Sequence, residues 1–157
     1  MKLIKPSFEI LEQGPGLDGI YEAIERAGRT CYKSKRPEGQ AAKDFVDRMI
    51  ASKHYAMLEH GTVYLKVPFS PSINKYSENP YSKSKVYDMD PTCYITTNYR
   101  VIVENNWFDD LKYLCEPTEY HEKRVTVRFT TDRGVSHEFV RHRVFSFAQE
   151  STRQMAA

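Results

Sequence analysis

The stretch 59-EHGTVYLKVPF-69 is where the spacing of apolar residues changes period. From Thr62 onward β-branched and aromatic residues alternate with polar ones, the pattern of a half-buried strand. Upstream the repeat is helical. Leu17, Ile20, Ala23, Ile24 and Ala27 recur at three- and four-residue intervals, with Asp18, Glu22, Glu25 and Arg26 on other faces. The spacing predicts a short amphipathic helix that ends near Gly28, because glycine adopts the left-handed conformation that closes helices. Beyond the turn-rich SKRPEGQ (34–40), Ala41, Ala42, Phe45, Val46, Met49 and Ile50 form a second stripe while Lys43, Asp44, Asp47 and Arg48 face water. Two helices are therefore expected before any strand.

Downstream of Phe69 the serines, prolines, asparagines, lysines and tyrosines of 70–91 show no period and predict an exposed loop insertion. CYITTNYRVIVE (93–104) is the next strand candidate. NNWFDDLKYLCE (105–116) carries Trp107, Leu111, Leu114 and Cys115 at helical spacing. In KRVTVRFTTD (123–132), Val125, Val127 and Phe129 alternate with Arg124, Thr126 and Arg128, again a strand. Thr131 or Asp132 can then cap a helix over 133–141. This order of elements predicts an α+β fold, an antiparallel sheet flanked by helices, and residues 1–157 show neither repeat nor linker. At 157 residues the chain can bury one sizeable core, and two domains would be cramped.

Charge and cysteine content narrow the function classes. A net charge of +2 excludes a protein that coats nucleic acid through bulk positive charge. No stretch approaches the roughly 20 uninterrupted apolar residues of a membrane span, and MKLIKPSFEI does not read as a secretory leader, so a cytoplasmic protein is expected. Cys31, Cys93 and Cys115 lie far apart with no CxxC pair, which favours reduced thiols over a disulfide framework or a zinc cage. No metal is expected. From Glu122 onward Lys123, Arg124, Arg128, Arg133, Arg141, Arg143 and Arg153 face only Glu122, Asp132, Glu138 and Glu150, so cationic charge collects near the C-terminal end.

There the chain reads RHRVFSFAQESTR (141–153). Guanidinium forks match phosphate and carboxylate oxygens, and three of them beside Ser146, Ser151 and Thr152 suit a nucleotide better than a neutral ligand. His142, between two arginines, has its cationic form disfavoured and suits a neutral hydrogen-bonding or stacking role. Gln149 offers both a donor and an acceptor for a base edge or cofactor ring. Taken alone, Arg141, His142 and Arg143 equally describe a solvated helix end, where cations meet the negative end of the dipole.

The full pattern, RHR followed by seven residues, a serine and a nearby arginine, resembles the signature of the flavin-dependent thymidylate synthases, the ThyX family. Glu59 and His60 ahead of a strand resemble that family's EH element, and AGRTCY (27–32) resembles its segment after the first helix, with Cys31 where serine is common. The resemblance implies a ThyX-like fold and reductive methylation of dUMP to dTMP. Methylenetetrahydrofolate would be the carbon donor, FAD the hydride carrier and NADPH the reductant. It further implies a homotetramer with sites assembled from several subunits. By position, Arg141, His142, Arg143 and Gln149 would contact FAD, with His60 and Thr62 near the flavin. Glu138, Arg141, Gln149, Glu150, Ser151 and Arg153 would line the dUMP pocket. Arg141 and Ser151 would be the catalytic pair, Ser151 positioning substrate rather than attacking it. Family members continue into a helical region beyond the signature, so this chain is expected to be an incomplete form of weak or absent turnover. A non-catalytic nucleotide- or flavin-binding remnant is the alternative. An RNA-binding domain using Tyr94, Tyr99 and Phe129 is disfavoured by the near-neutral charge.

Overall fold

The computed structural model describes residues 4–87 and 89–151. It has mixed α+β architecture with two small antiparallel sheets. In chain order, β1 (Ser7–Leu11) leads into α1 (Gly16–Tyr32) and α2 (Ala42–Ala51), and a 3₁₀ turn (Tyr55–His60) delivers β2 (Thr62–Pro68). After a 3₁₀ turn at Pro71–Ile73 come α3 (Asn74–Glu78), β3 (Lys83–Tyr87), β4 (Asp90–Asn98) and α4 (Tyr99–Asn105). A further 3₁₀ segment (Phe108–Tyr113) precedes β5 (Thr126–Thr130) and α5 (Arg133–Phe139). The strand order is β2-β4-β3 in one sheet, while β1 pairs only with β5 in the other.

The core lies where α1 and α2 cover β2 and β4. Ile20 and Ile24 of α1, Phe45 and Val46 of α2, Leu58, and Val63, Leu65 and Ile95 of the sheet are buried together with Ile102 of α4. Each such side chain contributes roughly 1.5–3 kcal/mol on burial. The stripes expected on both helices are the faces that pack here. Glu25, 3% exposed, sits at the edge of this core and receives Arg29 Nε at 2.7 Å and Arg36 Nε at 2.8 Å. The 34–40 turn is thereby tied to α1. Burial alone would raise the Glu25 carboxyl, but the hydrogen bonds and charges of Arg36 and Arg29 outweigh it and hold the group below the usual carboxylate range.

Several expectations are corrected. α1 runs four residues past Gly28 and closes at Lys33, whose φ is 48°. Gly28 is a packing site: a Cβ there would stand 2.3 Å from Cζ of Phe45, so only glycine lets α2 approach this closely. A strand does precede the helices, since β1 pairs with β5 more than a hundred residues away, from Ser7↔Thr130 to Leu11↔Thr126. Five residues offer too short a period to register without their partner. The proposed strand at 93–104 breaks in two. β4 ends at Asn98, whose side chain accepts the Val101 N–H at 3.1 Å and caps α4, and Asn106 (φ 56°) closes that helix. The β-branched Val101 and Ile102 are retained because burial outweighs their weak helix propensity.

The supposed loop at 70–91 holds a 3₁₀ turn, α3, β3 and the start of β4, and it buries Ile73 and Tyr76. Tyr76, 1% exposed, donates to Asp110 Oδ2 at 2.7 Å and packs edge-on against Trp107 at 4.8 Å. Its phenol is pushed far above the ordinary value by burial and by Asp110. No single period fits this region because two short elements share the anchoring. The helix read at 105–116 is the shorter 3₁₀ segment Phe108–Tyr113. β5 and α5 form as expected, with Asp132 Oδ1 accepting the Val135 N–H at 3.0 Å as the cap.

Candidate functional site

α5 releases the chain into 140–151, which turns back across the end of α1 and the 3₁₀ turn before β2. Ser146 Oγ donates to Glu59 Oε2 at 2.6 Å, a contact spanning 87 residues. Glu59 Oε1 in turn receives Arg100 Nη1 at 2.7 Å, and Arg100 Nε reaches Glu104 at 2.9 Å. Glu150 forms an ion pair with Lys33, the residue that closes α1. The Ser151 N–H donates to the Cys31 carbonyl at 3.3 Å, and Gln149 Nε2 donates to Ser136 Oγ at 2.8 Å on α5. A backbone hydrogen bond also joins Gln149 to the Cys31 thiol. Residues 146–151 are thus fastened by polar contacts to α1, α5 and the 3₁₀ turn before β2.

His60 lies under this strap. Burial lowers its pKa, more than a backbone hydrogen bond to Phe147 and the nearby Glu59 charge raise it, so the ring is neutral near pH 7. Its Nε2 is shut off from solvent and has no hydrogen-bond partner among the described residues. A buried ring nitrogen left this way costs free energy unless something meets it. Thr62 opens β2 and is held through its backbone: its N–H donates to Gln13 Oε1 at 2.9 Å and its carbonyl accepts Gln13 Nε2 at 2.8 Å. Burial pushes the Cys31 thiol up, which does not favour a nucleophilic thiolate.

The residues of the RHR triplet are placed differently. Arg141, His142 and Arg143 are exposed. Arg141 makes a 3.5 Å contact with Glu138 in which both side chains are largely in water, and Arg143 has no ion-pair partner among the described residues. Neither the cleft lined by Tyr32, Lys53 and His54 nor that lined by Ser70, Tyr76 and Asp110 includes any of the three. Arg153 lies outside the described residues. The structure therefore fastens Gln149, Glu150 and Ser151 to α5 and the end of α1, sets His60 against Phe147 of the same segment, places Thr62 two residues on at the start of β2, and leaves Glu138, Arg141, His142 and Arg143 exposed. The guanidinium groups of Arg141 and Arg143 fit an anionic ligand chemically, and among the described residues neither lines the two clefts named above.

Sequence reasoning overlooked Glu59, Lys33 and Arg100 as partners of this segment. Glu59 was visible beside His60, and its pairing with Ser146, one of the seven residues between RHR and the motif serine Ser151, depends on folding. Lys33 and Arg100 carry no local signal, since each meets its acid only across the tertiary structure. No protein-family model matches the chain, and no curated protein or solved structure matches it.

Proposed function

We propose that this chain carries the nucleotide- and flavin-binding portion of a flavin-dependent thymidylate synthase, acting on dUMP with methylenetetrahydrofolate, FAD and NADPH. One observation carries the reading. The signature segment folds back onto the Glu59 and His60 element, so two motifs separated by some eighty residues in sequence share one surface. When bound, FAD supplies hydride transfer; the chain's own residues bind and orient. Arg143 and Arg141 offer fixed positive charge for phosphate oxygens, and His142 offers a ring for stacking. Gln149 and Ser151, held against Ser136 and the Cys31 carbonyl, present polar groups at set positions to a pyrimidine edge. Neutral His60 keeps an orphaned Nε2 that can hydrogen-bond without adding charge. No nucleophile on the protein is required, in keeping with a Cys31 thiol that burial protonates.

A homotetramer is part of the proposal. Arg141 and Arg143 are exposed among the described residues, as are Val144 and Phe145 beside them, so a second protomer's surface would enclose them. Among the described residues no helix is long and apolar enough to cross a membrane, and the three free thiols suit a reducing cytoplasmic setting. The exposed RHR triplet favours one alternative, a non-catalytic flavin- or nucleotide-binding protein.

The test is absorbance of the purified chain in the visible flavin bands after reconstitution with FAD, followed by titration with dUMP. The expected result is a bound flavin whose spectrum responds to dUMP. Arg143→Ala should weaken FAD binding about tenfold with unchanged circular dichroism, the worth of one charge-assisted contact. A colourless protein, or Arg143→Ala binding FAD like the parent, overturns the reading. Tritium release from 5-labelled dUMP separates the enzyme from the binding protein.

A further inference from the structure

A second feature lies outside the closing segment. α2 ends in two backbone bonds, Lys53 N–H to Ile50 O at 3.0 Å and His54 N–H to Met49 O at 2.9 Å, with Lys53 at φ 58°. That closing geometry places its left-handed residue where glycine is the norm, because a Cβ there is strained. α1 also closes on a left-handed lysine, Lys33, and there the side chain is used in the pair with Glu150. The ammonium of Lys53 has no ion-pair or hydrogen-bond partner among the described residues. The negative end of the helix dipole accounts for a cation near this position but not for one at the strained site itself.

Lys53 lines a cleft of about 430 Å³ with Tyr32, His54, Tyr55, Met57 and Arg100. This volume is in the range of small-molecule sites, roughly 300–1,000 Å³. No acid lines it. Arg100 is held by Glu59 and Glu104 outside the cleft, so its charge is largely balanced, and the uncompensated cation is Lys53. Tyr32 hydroxyl and His54 Nδ1 stand 3.3 Å apart and offer further hydrogen bonds. The remaining wall is aromatic ring and thioether, which suits a flat ligand. None of residues 141–151 contributes to it.

We infer that the cleft between the ends of α1 and α2 binds a nucleoside monophosphate, its phosphate on Lys53 and its base against the Tyr32, Tyr55 and Met57 wall. The inference stands apart from the proposed function.

The probes are AMP, adenosine and inorganic phosphate, titrated into the full chain by calorimetry. Saturable AMP binding is expected, with adenosine and phosphate each about tenfold weaker or more, since each keeps only half the contacts. Lys53→Gly is the deciding variant. It relieves the left-handed strain, so the melting temperature should rise by a few degrees, while AMP affinity should fall about tenfold. Arg143→Ala should bind AMP as the parent does. No saturable AMP binding, or Lys53→Gly binding AMP unchanged, overturns the inference. Loss of AMP binding in Arg143→Ala also overturns it, by placing the nucleotide at the closing segment. Phosphate binding as tightly as AMP removes the aromatic half of the claim, and adenosine binding as tightly removes the phosphate half. FAD binding retained by Lys53→Gly separates this outcome from that of the proposed thymidylate synthase site.

Discussion

β2 and β5 are written in the same alternating code and meet opposite fates. In β2, Val63, Leu65 and Val67 are buried in the core that α1 and α2 share. In the ribbon of β1 and β5, Phe8 pairs with Phe129 and Ile10 with Val127, and this face stays open: Phe8 is 70% exposed and Phe129 52%. Phe129 stacks on Phe139 of α5 at 5.0 Å, adding another ring to the same surface. The opposite face carries the Glu9 and Arg128 ion pair. A two-stranded ribbon is marginal by itself in water. Alternation thus encodes a face that is meant to be covered, and it does not encode whether the same chain supplies the cover.

The difference can be probed from both sides. Ile24 is fully buried in the body, and Ile24→Ala should lower unfolding stability by about 2–5 kcal/mol in denaturant titration. A smaller loss would mean that the body is looser than its packing implies. The next effect is expected from acid. Burial lowers the pKa of His60 and of His121, the latter held by Leu65 O at 3.1 Å and Thr118 N at 3.0 Å. Because Thr118 N–H donates to Nδ1, the ring proton sits on Nε2 and donates to Leu65. The unfolded chain binds protons near the ordinary histidine pKa of about 6.5 whereas the folded chain resists them. Stability is therefore complete above that pH and falls as the pH drops toward the folded values. Urea midpoints between pH 7.5 and 5.5 should decline, and a flat profile would contradict the neutral buried rings. The smallest effect is expected at the ribbon. Phe8→Ser should change stability by less than about 0.5 kcal/mol in dilute solution, as for exposed sites. A large, concentration-dependent loss would instead show that a second copy covers the face.

Much of the body was legible because α1, α2 and β2 each repeat over enough residues for one face to stand out. β1, α3 and α4 were not. They derive their identity from a partner or a cap: Thr130 and its neighbours for β1, the hydrogen bond that the Tyr76 hydroxyl donates to the Asp110 carboxylate for α3, Asn98 and Asn106 for α4. Gly28 was read as a terminator for a sound local reason and proved to be a contact, because the ring it admits belongs to another helix. In the candidate site, the residue types of 141–151 were read as suited to an anion, while the Ser146 to Glu59 and Glu150 to Lys33 pairings did not show.

Composition and periodicity were enough to establish an α+β chain with two amphipathic helices and a cationic closing segment, since propensity and hydrophobic spacing act within a few residues. Folding alone decided that His60 lies beneath that segment, that Lys53 faces an aromatic cleft and that the Phe8 ribbon stays bare. Those outcomes depend on which distant surfaces meet, and short-range patterns carry no information about such encounters.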